Sequence, residues 1–168
     1  PFGRAAPDSR GGDVMFPGAH GTDLADGPRF DPSNANHSGD ADPNKRWDAQ
    51  YPSLWVTRGG GGSFSGIWTP STYSQAGMYV SDTDTPGHVY EMSSEHHVRT
   101  EFALNRVAHG EFLAPQTEEE VGEGQDTVSF DIRDSHDVLV ANYHAYRVTR
   151  SVKPAASAVR LSNVADIR

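Results

Sequence analysis

Three stretches decide the fold: Phe102-Ala-Leu-Asn-Arg-Val-Ala-His-Gly-Glu-Phe112, Phe130-Asp-Ile-Arg-Asp-Ser-His-Asp-Val-Leu-Val140 and Val159-Arg-Leu-Ser-Asn-Val-Ala-Asp-Ile-Arg168. Set side by side, Leu104, Ile132 and Leu161 align. So do Val107, Ser135 and Val164, and so do His109, Asp137 and Asp166. The steps are 28 and 29 residues. Each unit is a short apolar-alternating strand, a tight polar corner and a second short strand. A fixed step in the range of about 20 to 50 residues marks a repeat architecture. Asn and Asp tolerate the left-handed conformation that a tight corner needs. The pattern predicts coils of a parallel β-helix. Leucine-rich repeats need a leucine consensus that is absent here, and propeller blades need a step nearer 40.

Working outward, residues 51–168 carry further strand-length runs rich in β-branched and aromatic residues. Examples are Ser53-Leu-Trp-Val56, Gly77-Met-Tyr-Val80 and His88-Val-Tyr-Glu-Met92. No stretch holds a helical apolar stripe for three turns. Short helices are expected only at residues 70–76 and 118–121. Residues 1–50 are rich in Gly, Pro, Asp and Asn and read as a loop-rich segment with short extended pieces such as Val14-Met15-Phe16. The last strand-like pattern stops without a turn, which predicts a segment of a longer protein.

Composition narrows the function classes. The 168 residues suffice for one ordinary domain, with 35% hydrophobic and 22% charged residues. The formal net charge of −9 leaves no basic footprint for nucleic acid. With no cysteine, disulfides, thiolate metal sites and a cysteine nucleophile are excluded. No apolar run approaches the roughly 20 residues of a membrane span.

Several motifs resolve to plain readings. Arg58-Gly-Gly-Gly-Gly-Ser-Phe64 lacks the Gly-Lys-Ser/Thr ending of a phosphate loop. Its glycines fit a close approach of two backbones. The stretch from Asn34 to Lys45 starts like a calcium loop but ends in Lys45 where the final glutamate belongs. Trp47, Trp55, Trp68 and Tyr73 could offer aromatic faces to sugar rings.

Met92-Ser-Ser-Glu-His-His-Val-Arg-Thr-Glu101 is the densest cluster of chemistry. Read as a strand, its adjacent histidines point to opposite faces and cannot share a metal ion. Alternation puts Glu95, His97, Arg99 and Glu101 on one outward polar strip, with His96, Val98, Thr100 and Phe102 facing the core. Glu95 and Glu101 are then roughly 20 Å apart, beyond the roughly 5–10 Å of a glycosidase pair. Neighbouring coils, about 4.8 Å apart, offer a better route. The second carboxylate would come from Gln116-Thr-Glu-Glu-Glu120, at Glu118 or Glu119.

The stretches Arg29-Phe-Asp-Pro32, Lys45-Arg-Trp-Asp-Ala-Gln-Tyr-Pro-Ser-Leu-Trp55, Ile67-Trp-Thr-Pro-Ser-Thr-Tyr-Ser-Gln-Ala-Gly-Met78, Met92-Ser-Ser-Glu-His-His-Val98 and Gln116-Thr-Glu-Glu-Glu120 resemble secreted bacterial proteins of the pectate-lyase-like superfamily. This is the group related to glycoside hydrolase families 28 and 55, some labelled "gluconolaconase". The resemblance covers most of residues 29–168. It implies a right-handed parallel β-helix, an extracellular location and a role on polysaccharides, but no agreed catalytic residues. The aspartate cluster of polygalacturonases is not matched, nor is the calcium-plus-base arrangement of pectate lyases clear.

The expectation is therefore an all-β, right-handed parallel β-helix. Its function would be that of a glycoside hydrolase on a polysaccharide or oligosaccharide. Glu95 or Glu101 would pair with Glu118 or Glu119. His97 and Arg99 would orient substrate, and Trp47, Trp68 and Tyr73 would bind it. No metal or other cofactor is called for. The alternatives are a non-catalytic polysaccharide-binding or surface-assembly module and a polysaccharide lyase. A homo-oligomer, or the rest of a longer chain, is a further partner.

Overall fold

The structure, a computed structural model, describes residues 4–5, 13–15, 52–70, 76–95, 97, 100–120, 128–148 and 156–168. All regular structure among them is β. The first coil contains β3 (Leu54–Thr57), β4 (Gly62–Ser65) and β5 (Trp68–Pro70). The second contains β6 (Ala76–Thr83), β7 (Gly87–Tyr90) and β8 (Ser93–Glu95). The third contains the long, bent β9 (Thr100–Leu113) and β10 (Gln116–Glu120). The fourth contains β11 (Phe130–Arg133), β12 (His136–Ala141) and β13 (His144–Val148). β14 (Val159–Ser162) and β15 (Ala165–Ile167) begin a fifth.

Each coil lies on the last in parallel register, so the molecule is a parallel β-helix with three walls. The first wall stacks β3, β6, the first half of β9, β11 and β14. The second stacks β4, β7, the second half of β9, β12 and β15. The third stacks β5, β8, β10 and β13. Two short strands, β1 (Arg4–Ala5) and β2 (Asp13–Met15), pair antiparallel onto β4 and β3. They close the first end of the stack.

The repeat read from sequence is the register itself. Ile132 pairs with Leu104 on one side and Leu161 on the other. The Val107 amide donates to Ser135 Oγ at 3.0 Å across the same corner. Two earlier steps escaped the sequence reading because they are shorter. Leu54, Met78 and Phe102 stack at intervals of 24 residues. The interior rows of the first two walls are mainly apolar. Phe102, Phe112 and Phe130 meet with ring centroids 5.2 to 6.1 Å apart, within the range of favourable aromatic pairs.

The corners are sharp and stacked. Arg58, Asp82, Arg106, Asp134 and Asn163 all hold positive φ between 48° and 56°. His109, Asp137 and Asp166 repeat the device inside the second-wall strands β9, β12 and β15, and Glu91, Ala114 and Asn142 repeat it at the next corner. The Gly59–Gly62 run is a corner too. A Cβ on Gly61 would sit 2.7 Å from the Pro86 carbonyl oxygen, so the close approach of two backbones excludes any side chain there. The expected helix at residues 118–121 is corrected: Glu118 and Glu120 lie in β10. A strand ladder on both sides outweighs the weak helical preference of three glutamates. Residues 71–75, inside the other expected helix, lie outside the described residues, as does nearly all of the loop-rich segment 1–50. Pro70 and Ala76, which bound that stretch, belong to strands.

Candidate functional site

The third wall brings the chemistry together. Its register sets Trp68, Ser93, Gln116 and His144 in one row. A second row holds Thr69, Ser94, Thr117 and Ala145, and a third holds Pro70, Glu95, Glu118 and Tyr146. Strand alternation turns the first and third rows outward and the middle row inward. Burial follows: Thr69, Ser94 and Thr117 are buried, whereas Trp68 is 49% and Tyr146 48% exposed.

Glu95 and Glu118 are thus direct neighbours across two coils. Glu95 Oε1 accepts from Ser93 Oγ at 2.7 Å and from Gln116 Nε2 at 3.2 Å, which fixes its carboxylate on the face. Gln116 Nε2 also donates to Ser93 Oγ at 3.1 Å. The His144 and Tyr146 rings stack beside them, 6.4 Å apart and 16° from parallel. An aromatic therefore stands at each end of the carboxylate pair, three coil spacings or about 14 Å apart along the stack.

The outward strip expected for Glu95, His97, Arg99 and Glu101 does not hold. β8 ends at Glu95 and β9 starts at Thr100, so the strand alternation is broken between them. His97 and Glu101 turn inward and are each 1% exposed. The His97 ring bonds Glu101 through Nδ1. The other carboxylate oxygen, Glu101 Oε1, accepts the His97 backbone amide at 3.0 Å. Ser94 Oγ lies 2.8 Å from Glu101 Oε2. His97 Nε2 lies 3.4 Å from Ser53 Oγ. This is a satisfied polar cluster under the wall, as buried polar groups require. Glu101 and His97 are therefore not on the surface that carries Glu95. Gly77 makes room for the cluster, since a Cβ there would lie 1.8 Å from Ser94 Oγ and 2.9 Å from His97 Cε1.

Of the other expected residues, Glu119 lies opposite Arg147 in the ladder, with only its backbone described. Trp68 is on the face. Trp47, Tyr73 and Arg99, with the calcium-like stretch 34–45, lie outside the described residues. Trp55 belongs to a different wall, where it stacks on Tyr79 at 5.8 Å. Ser93, Gln116, His144 and Tyr146 were not singled out from sequence. Among the described residues no group of three or more His, Asp or Glu could hold a metal ion, and no helix is long and apolar enough to cross a membrane.

The fold and this face define a parallel β-solenoid with a carboxylate pair framed by aromatics. Comparison with protein-family models, with curated proteins and with solved structures gives no match to the chain.

Proposed function

We propose that the chain is a carbohydrate-active protein, a glycoside hydrolase acting on an extracellular polysaccharide through Glu95 and Glu118. The observation that carries this reading is the direct register of these two glutamates on neighbouring coils. Neighbouring strands lie about 4.8 Å apart, close to the roughly 5–5.5 Å between the carboxyl groups of retaining glycosidases. Exposed Trp68 and Tyr146 suit the apolar faces of sugar rings on either side.

In this reading Glu95, held by Ser93 and Gln116, attacks the anomeric carbon as Glu118 gives its proton to the departing glycosidic oxygen. The C–O bond breaks and a glycosyl ester forms on Glu95. Water, losing its proton to the Glu118 carboxylate, then hydrolyses that ester and releases the sugar. Incubation with a panel of polysaccharides, followed by reducing-end assay, tests it. Glu95→Gln and Glu118→Gln should each lower kcat by about 10²–10⁴ with the fold retained. Unchanged rates in both variants would remove the assignment.

A binding module without cleavage is the second reading, favoured by the two exposed aromatics themselves. It predicts glycan retention without released sugar, and retention lost on Trp68→Ala or Tyr146→Ala. A product absorbing in the ultraviolet would instead move the reading to a lyase.

A further inference from the structure

The polar cluster under the third wall has an order that burial alone does not require. Ser53, Gly77 and Glu101 each stand one residue before the stacked row Leu54, Met78 and Phe102. Ser53 and Glu101 are thus two coil spacings apart, or about 10 Å. The Ser53 amide is tied to the coil between them, donating to the Ala76 carbonyl at 2.9 Å. Gly77 puts no side chain at the middle position, where a Cβ would lie 2.9 Å from His97 Cε1. The imidazole takes that space and spans the gap. Its Nδ1 bonds Glu101 Oε2, and its Nε2 lies 3.4 Å from Ser53 Oγ.

The hydrogen bonds assign the tautomer. Glu101 Oε1 accepts the His97 amide at 3.0 Å, and Ser94 Oγ lies 2.8 Å from Oε2. A carboxylate held this way is an acceptor, so Nδ1 carries the ring proton and donates toward Oε2. Nε2 then presents its lone pair to the Ser53 hydroxyl. Nucleophile, base and orienting carboxylate stand in the sequence that activates a serine. Exposure falls in the same order, with Ser53 5% exposed and His97 and Glu101 1% each. The hydroxyl is the outermost group of the three.

We infer that Ser53, His97 and Glu101 form a second reactive site, separate from Glu95 and Glu118, that hydrolyses esters of a small acyl group. The narrow exposure of Ser53 sets the size: an acetyl-sized carbonyl reaches Oγ and a long acyl chain does not. Ser53 Oγ attacks the carbonyl carbon as its proton passes to His97 Nε2. The ester C–O bond breaks, and the alkoxide takes that proton and leaves as an alcohol. Water then attacks the acyl-serine and gives a proton to Nε2. The acyl C–Oγ bond breaks, Ser53 Oγ takes the proton back, and a carboxylic acid departs. Glu101 touches no substrate. It is a positioning residue that holds the ring and stabilises its charged form.

The probe is p-nitrophenyl acetate, read by release of p-nitrophenol and by mass spectrometry of the peptide carrying Ser53. The unaltered chain should turn it over and carry a transient acetyl group on Ser53. Ser53→Ala should lose both the acetyl group and the turnover, with an unchanged circular dichroism spectrum. Glu101→Gln keeps the size of the side chain and should lower kcat by about 10²–10⁴ with KM unchanged. A structural role alone would leave kcat of the folded chain as it was. The octanoate ester should react more slowly than the acetate. Equal rates in Ser53→Ala and the unaltered chain overturn the proposal, because surface histidines such as His109 would then account for them. So does a lack of turnover by the unaltered chain, or an acetyl group found only on other residues. An octanoate rate equal to the acetate rate, or an unchanged kcat in Glu101→Gln, overturns it as well.

Discussion

Glu101 shows how much one backbone break changes. By alternation it belongs with Glu95, yet it lies inside, bonded to His97 and Ser94. A buried carboxylate is tolerated only with such partners. Glu101→Ala would strand the His97 ring and the His97 amide, and should cost about 3–5 kcal/mol of unfolding free energy in a denaturant titration. The exposed Arg106–Asp82 pair is a contrast, with side chains 57% and 46% exposed. Arg106→Ala at that contact should leave the unfolding midpoint close to that of the parent, because solvent screens an exposed pair. Gly77→Ala should also destabilise, by about 1–3 kcal/mol or more, because its methyl would overlap Ser94 Oγ. A Gly77→Ala midpoint equal to that of the parent would mean that the cluster can shift to admit the methyl.

At the level of elements, the corners and the third wall were unequally legible. Leu104, Ile132 and Leu161 announced the first wall because branched and aromatic residues recur there at a fixed step. Asp134 and Asn163 announced the first corner, and His109, Asp137 and Asp166 a left-handed position just beyond it, because polar residues that tolerate that geometry recur there. The third wall gave no such signal. Its buried inward residues, Thr69, Ser94 and Thr117, are small and polar, so hydrophobic alternation is missing. The Glu95–Glu118 pairing was half legible: neighbouring coils were the right source, but Glu101 looked equally suited. Only the ladder distinguishes them. Corner chemistry also yields a prediction. Ala114 holds φ 52° with no polar side chain to favour that conformation. The left-handed region costs a non-glycine residue roughly 1–2 kcal/mol, and glycine's extra unfolded entropy returns about 0.5–1 of it. Ala114→Gly should therefore raise stability by a few tenths to about 1 kcal/mol, measured by equilibrium unfolding.

At the scale of the molecule, the net charge of −9 is managed by ion pairs laid along the stack. Among the described residues Asp131 is enclosed, its side chain 7% exposed between Arg133 and Arg160. Burial opposes its ionisation, but hydrogen bonds from Arg160 and Arg133 outweigh that and hold its carboxyl below the ordinary value of 3.8. A carboxylate depressed in the folded state adds stability above its unfolded pKa. That stability is lost as pH falls from about 3.8 through the lower folded value. Asp137, beside His109 and Arg168, shifts the same way. Unfolding free energy should therefore fall on acidification below about pH 4, and Asp131→Asn should flatten the fall. An unchanged acid limb in Asp131→Asn would place the sensitivity elsewhere.

The carboxylate face is a consequence of the stack: register aligns Glu95 with Glu118. The most direct test of the central claim is covalent trapping on the face. A panel of activated 2-fluoro glycosides should slow the second step and leave a glycosyl ester, read by peptide mass spectrometry. The account predicts the label on the peptide carrying Glu95, and its loss in Glu95→Gln. Labelling at another carboxylate, or equal labelling of Glu95→Gln, would contradict it.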